Sequence, residues 1–313
     1  MSRYSAAILN ARKEYIKLNL QQKEELRQIY MKLASELSEE ILEWPESRTR
    51  THLEEMYHIV NKYLKELYFD LEDHTTKYIN KAADIQTNVQ LSFVDMLKLE
   101  PSIDNALRRS ITVISSRTVK QLIAGEYYKD DMTLSKRLWK ITKNNRKNID
   151  TVIKVNVARG CNARTLANEL EKYINPKHRV IGKSFAAGIN SHNISYQAQR
   201  LARTSITHAM SEVQIQNAIA NPFNKGLRWN LSPNHSARMH GKTDECDDRE
   251  GKVYKPEEMP LQHPNCLCYF TEELIDIHQC IKDINAWVNG TSNTDIDKWV
   301  YARSEEHTSE LQS

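Results

Sequence analysis

The sequence predicts a mostly α-helical protein, with an elongated helical N-terminal region followed by a smaller α+β lobe that carries a Cys/His-rich loop region. Three observations predict it. Glycine and proline are scarce, 8 of each in 313 residues, whereas turn-rich β folds use both freely. Apolar residues recur every three or four positions over long stretches, which is the spacing of one helix face. Alternation with a period of two appears late, at Leu227, Trp229 and Leu231, and leads straight into the Cys/His-rich stretch.

The elements follow in order. Ile8–Leu42 is a helix with Leu26, Tyr30, Leu33, Leu37 and Ile41 on one face. Pro45 and the polar stretch 46–51 interrupt it. A second helix carries Met56, Val60, Leu64, Leu67 and Leu71 on one face. Neither helix can bury its stripe alone, so they are expected to pack on each other, on later helices or on a partner chain. Lys77–Leu99 continues helical. Pro101 opens a new segment with Ser102 as its cap, and Ile103–Ala124 is apolar with Arg108, Arg109, Arg117 and Lys120 between. Gly125 and the EYYKDDMT run form a loop. Leu134–Val157 is a basic helix whose apolar side is Leu134, Leu138, Ile141, Ile149, Ile153 and Val157. Trp139 on it is expected in the core, with stacking on a nucleic-acid base as the alternative. Gly160 caps that helix and Asn162 begins the next, Arg164–Tyr173. Residues 175–190 read as a connector, Ile194–Ala220 as a long helix stopped by Pro222, and Glu272–Val288 as a closing amphipathic helix.

Charge is unevenly spread. The formal net charge is +3, yet residues 101–210 hold 20 Lys and Arg against 7 Asp and Glu. Lys136, Arg137, Lys140, Lys143, Arg146, Lys147 and Lys154 gather on the basic helix. Such a concentration attracts phosphate backbones and makes binding salt-dependent. The alternative is a solvated face balanced by acidic neighbours. No base-reading motif accompanies the charges, so DNA contact is expected to be sequence-independent. No P-loop or glycine-rich nucleotide fingerprint is present. No apolar run approaches a membrane span and the N-terminus lacks a signal-peptide core, so no membrane role and synthesis in a cytoplasm are expected.

Three of the five cysteines fall between Trp229 and Phe270, in the order His235, His240, Cys246, His263, Cys266, Cys268. Thiolate and imidazole are the ligands zinc prefers, and four of them close a tetrahedron. The Cys-x-Cys pair can place two sulfurs on one ion, and Cys246 would clip a second loop to it. The candidate ligands of a structural Zn²⁺ are therefore Cys246, His263, Cys266, Cys268 and His235. Two other readings stand beside it: small buried apolar cysteines, or a disulfide from Cys246, which the absence of secretion signals disfavours. Asp244, Glu245, Asp247 and Asp248 around Cys246 offer oxygen ligands or a solvated loop. A metal-dependent nuclease using His235, His240, Asp244 and His263 is the enzymatic alternative, although no recognisable catalytic pattern accompanies it.

The succession LSKRLW, ARGCNARTLANEL, RLARTSITHA, WNLSPNHSARMHGKTDEC, GKVY and PLQHPNCLC resembles the phage head morphogenesis, or minor head protein, family often called Mu F-like. The likeness covers about Leu134–Phe270, and its most specific part is the closing HPNCLC with W-x-L-S and D-x-C upstream. It marks Arg203, Thr204, Trp229 and Asp244 as family-motif positions. It implies a minor capsid protein near the portal that assists head assembly, with portal and capsid proteins and packaged DNA as partners, and no catalytic activity. It implies residence in the virion head and in the host cytoplasm during assembly. The family helix often reads Arg-Thr-Glu, whereas Ser205 follows Thr204 here. A stand-alone DNA-binding protein is the further alternative. The resulting division is 1–132 for a helical portal- or capsid-contacting region, 133–271 for the Mu F-like domain and 272–302 for a C-terminal helix. Residues 303–313 (RSEEHTSELQS) match the in-frame translation of a sequencing adapter. The natural chain is expected to continue past Ala302, and some relatives carry a toxin or transferase domain there.

Overall fold

The computed structural model describes residues 3–43, 50–158, 161, 163–176, 195–239 and 242–301. The interruption at Pro45, the caps at Gly160 and Asn162, most of the 175–190 connector, His240 and the residues from Ala302 onward lie outside them. Among the described residues the chain is mostly helical, with one small antiparallel sheet late in the sequence. The elements are α1 (Arg3–Leu42), α2 (Arg50–Leu97), α3 (Pro101–Ala124), α4 (Leu134–Ala158), α5 (Ala163–Ile174), α6 (Tyr196–Ala220), β1 (Asn224–Asn230), α7 (His235–Arg238), α8 (Glu245–Arg249), β2 (Val253–Tyr254), β3 (Tyr269–Leu274), α9 (Ile277–Val288) and α10 (Thr294–Val300).

Packing groups these elements into two compact units, each drawn from separated stretches of chain. One comprises Asn19–Tyr78 and Ile123–Arg203. Its core is the pair of stripes legible in the sequence: Leu26, Tyr30, Leu33, Leu37 and Ile41 of α1, with Met56, Val60, Leu64, Leu67 and Leu71 of α2, all buried. Each such side chain removed from water contributes roughly 1.5–3 kcal/mol. The α4 residues Leu134, Leu138, Ile149, Val152 and Ile153 join them, as do Leu166, Leu170, Tyr173 and Ile174 of α5. Two polar contacts tie its helices together: Asn145 Nδ2 donates to Tyr30 Oη at 3.0 Å, and His74 Nε2 lies 3.1 Å from the Gln22 carbonyl. Burial lowers the His74 pKa.

The other unit comprises Met1–Leu18, Ile79–Leu122 and the chain from Thr204. Its larger core joins Tyr4, Phe93, Leu97, Leu107, Ile111, Phe223, Cys280, Ile284 and Trp299. A second, adjoining core holds Ile215, Leu227, Trp229, Phe270 and the three clustered cysteines. The sheet order is β2-β1-β3, antiparallel throughout, with Trp229 directly opposite Phe270. Gly226 sits where β1 bulges. A Cβ there would lie 2.7 Å from Val253 Cγ1 and 2.8 Å from the Tyr254 carbonyl oxygen, so only glycine lets β2 close on β1.

Three expectations are corrected. Ser102 is not a cap, because Pro101 is the first helical residue and its missing N–H costs nothing there. Residues 272–274 belong to β3, and the closing helix starts at Ile277 with Asp276 accepting from the His278 N–H at 2.9 Å. The β-strand wins because Glu272 and Leu274 pair with Leu227 and Asn224 across the sheet. Trp139 is not core: it is 59 % exposed. Leu138 and Thr142 take the inward positions on that stretch of α4 instead.

Candidate metal centre

The centre forms where the middle of α6 meets the loop between β2 and β3. Pro264 and Asn265 make that loop turn sharply. The Cys266 N–H reaches the His263 carbonyl at 3.1 Å and Asn265 adopts φ 64°, the pattern of a turn with proline second and asparagine third. Helix α6 holds the turn through a polar stripe at helical spacing. Thr204 Oγ1 accepts from the Asn265 N–H at 3.1 Å, Thr207 Oγ1 donates to the Cys266 carbonyl at 3.0 Å, and His208 Nε2 lies 2.8 Å from the Gln262 carbonyl. The Ser211 hydroxyl donates to Gln262 Oε1. Gln262 then donates to the Cys268 carbonyl at 2.6 Å, closing the loop on itself. From α1, Tyr15 Oη lies 2.6 Å from Thr207 Oγ1 and Arg12 Nη2 donates to the Leu267 carbonyl. The Arg12 guanidinium also covers the Tyr269 ring, 4.7 Å from its centroid.

These contacts point Cys266 and Cys268 at Cys246, which the start of α8 supplies. Asp244 caps α8 with a full capping box: its carboxylate accepts from the Cys246 N–H at 2.8 Å, and Asp247 Oδ2 accepts from the Asp244 N–H at 2.8 Å. The three sulfurs lie within 4.8 Å of one another, and Cys246, Cys266 and Cys268 are 0 %, 1 % and 3 % exposed. All are free thiols, and Cys246 and Cys266 are 3.6 Å apart, far beyond a disulfide bond. A tetrahedral ion with sulfur ligands at 2.3 Å requires sulfur–sulfur edges of about 3.8 Å. The spacing therefore suits a shared ion. The buried cysteine cluster can hold a metal.

The surroundings fit thiolate ligands. The Cys268 N–H points at Cys266 Sγ, 3.4 Å away, and Gln262 Nε2 approaches the same sulfur at 3.9 Å. Hydrogen bonds from Cys246 and Cys266 hold the Cys268 thiol well below the ordinary thiol range, with help from the Ser232 backbone, while bonds to Cys266 and Cys268 push the Cys246 thiol up. Against the bond from Cys246, Cys268 and burial raise the Cys266 thiol. His235 Nδ1 stands 3.8 Å from Cys268 Sγ, close to the roughly 3.6 Å nitrogen–sulfur edge of one tetrahedral ion, although it does not lie within 4.8 Å of all three sulfurs. Its Nε2 lies 3.1 Å from Asp247 Oδ2 and 3.5 Å from Asp244 Oδ1. A carboxylate behind an imidazole orients the ring and fixes its tautomer in metal sites. His263 borders the centre on the other side, with Nε2 3.2 Å from Asp244 Oδ2. Asp244 thus joins both histidines and the cap that positions Cys246. Of the remaining acidic run, Glu245 and Asp248 are exposed.

Trp229 is fully buried under the centre, 5.1 Å from the Phe270 ring and beneath the Arg249 guanidinium. Thr204 acts on the loop as described, whereas Arg203 falls in the other unit. The basic candidates fall on α4, in the other unit. Lys136, Lys140, Lys143, Arg146, Lys147 and Lys154 are exposed. Arg137 is engaged, paired with Asp130 and stacked 4.4 Å from the Tyr128 centroid.

Sequence reasoning missed Arg12, Gln262 and the α6 polar stripe. The stripe had a signal: Thr204, Thr207, His208 and Ser211 recur at three- and four-residue steps in a helix otherwise rich in buried apolar residues. Arg12 had none for this loop, because its partners there, Leu267 and Tyr269, stand more than two hundred residues away. Two carboxylates, half-buried Glu272 and buried Glu212, also went unnoticed. Glu272 accepts from Gln90 at 2.6 Å and Asn224 at 3.2 Å, and burial still raises its pKa. Glu212 on α6 is 7 % exposed, and burial raises its pKa to about 7.

No family model, characterised protein or solved structure matches this chain. No helix among the described residues is long and apolar enough to cross a membrane.

Proposed function

We propose that this chain is a phage minor head protein of the Mu F-like kind, whose Cys/His lobe is stapled by a structural Zn²⁺. One observation supports the reading above others. Sequence blocks that carry the resemblance, spread from Thr204 to Cys268, converge on a single buried cluster through direct hydrogen bonds. Zinc is the metal that this donor chemistry favours, since thiolate and imidazole suit it and carboxylates stand behind rather than in front. Cys246, Cys266, Cys268 and His235 are the proposed ligands, with His263 the substitute for His235. Nearly complete burial of the sulfurs favours a closed structural site over one with an open catalytic position. In this role the metal holds the loop against α6, and the exposed cations of α4 meet packaged DNA without reading its sequence.

Co-expression with the portal protein of the same phage tests the assembly role. Co-sedimentation with portal rings, and recovery in few copies per head, is expected. A chain that sediments alone and is absent from heads would sink the reading. The nuclease alternative, on His235, His240, Asp244 and His263, draws on the Asp244 carboxylate lying 3.5 Å from His235 Nε2 and 3.2 Å from His263 Nε2. Cleavage of plasmid DNA that depends on added Mg²⁺, Mn²⁺ or Zn²⁺ and vanishes in His263→Ala would favour it over a structural site.

A further inference from the structure

The unit made of Asn19–Tyr78 and Ile123–Arg203 carries a groove of about 410 Å³ between α2 and α4. Its aromatic wall is unusual for a solvent-facing surface. Phe69 is 54 % exposed and Trp139 is 59 % exposed. Tyr68 stands between them, edge-on to both, with ring centroids 5.4 Å from Phe69 and 5.8 Å from Trp139. Its hydroxyl is tied to Glu72 at 3.2 Å, which fixes the central ring. The rim is cationic: Lys65 from α2, and Lys143 and Arg146 from α4, line the groove, and no carboxylate lines it, Asp150 pairing with Arg146 at 3.8 Å from outside the lining. Glu66 and Asp70 of α2 line a different recess, on the side facing α1. Beyond the rim, Lys136, Lys140, Lys147 and Lys154 extend the positive charge along α4.

We infer that this groove binds single-stranded nucleic acid, with unpaired bases stacking on Trp139 and Phe69 and the backbone phosphates lying on Lys65, Lys143 and Arg146. The inference deepens the proposed DNA contact by naming its place and its strandedness. Charge complementarity selects the occupant: a cationic, carboxylate-free rim suits a polyanion. The aromatics select among polyanions. A duplex keeps its base faces stacked inside, so exposed rings gain nothing from it, whereas an unpaired base offers a π face to any aromatic plane. Stacking needs no hydrogen-bond pattern, so binding is tolerant of sequence.

The test is fluorescence anisotropy of labelled oligothymidylate and of a labelled duplex of equal length, titrated with the full chain at several salt concentrations. The single strand is expected to bind at least about ten-fold more tightly than the duplex. Trp139→Ala should weaken single-strand binding by about ten-fold or more, leave duplex binding unchanged and recover largely in Trp139→Phe. Lys143→Gln with Arg146→Gln should weaken both and flatten the salt dependence. All three positions are solvent-facing, and an unchanged circular-dichroism melt confirms that each variant is folded. Equal affinity for both probes with a silent Trp139→Ala overturns the groove as a single-strand site while leaving general DNA contact standing. Binding of neither probe overturns both. Binding of an acidic portal or capsid segment in place of nucleic acid also overturns the inference.

Discussion

At the scale of single residues, the decisive chemistry is at Cys266 and Glu212. If an ion holds the cluster, its binding energy is part of the folding energy. Cys266→Ser is then expected to abolish the bound metal, read by elemental mass spectrometry, and to lower the melting temperature by roughly 10 °C. Wild-type protein stripped by a chelator should melt where the variant does. An unaltered melting curve with no metal lost would reduce the cysteines to ordinary core residues. Glu212 gives a pH prediction of known sign. Burial raises its carboxyl to about 7 from an ordinary 4.5, so the folded state holds a proton that the unfolded chain releases. Its contribution is complete below pH 4.5 and is lost as pH rises through about 7. Glu212→Gln removes this dependence. Between those limits the variant should gain up to about 3 kcal/mol relative to wild type in urea unfolding. Parallel stability curves for the two proteins would show that Glu212 is hydrated or paired in solution.

At the scale of elements, α6 and β1 show how ordinary secondary structure is turned to a purpose. Helix α6 uses its apolar residues for the core and its polar stripe for the metal loop, so one helix both buries and aims. Strand β1 admits β2 only because Gly226 has no side chain: Gly226→Ala should cost about 1–3 kcal/mol, seen as an equal loss of stability by circular dichroism and by Trp fluorescence. A neutral outcome would mean that β2 is free to shift. Helix α4 carries the electrostatics. On the DNA-contact reading, replacing Lys140, Lys143, Arg146 and Lys147 by Gln should weaken duplex binding and reduce the slope of log affinity against log salt by roughly three to four. An unchanged slope would take α4 out of the interface.

At the scale of the whole molecule, chain order and packing order differ. The segment before Asn19 and the stretch from Ile79 to Leu122 pack with the residues from Thr204 on, so the Cys/His lobe is supported by N-terminal helices that no local pattern links to it. The expected consequence is selective. Removing the metal should raise amide hydrogen exchange through Trp229–Phe270, while Leu134–Ile174 keeps its protection. Uniform loss of protection along the whole chain would contradict a local staple.

The sequence by itself determined the helical class, the buried faces of α1 and α2, the late sheet and the cysteines worth watching. Those are set by local periodicity and residue chemistry, which a linear pattern displays. It also marked Asp244 beside Cys246. Only the tertiary structure decided that three thiols meet with His235 behind them, that Arg12 grips the Cys266–Cys268 loop, and that Trp139 faces solvent beside Phe69. Each of these depends on which surfaces meet across long stretches of chain. Periodicity fixes which face of an element is apolar, but not what it meets, and three-dimensional contact is where ligands, caps and grooves are made.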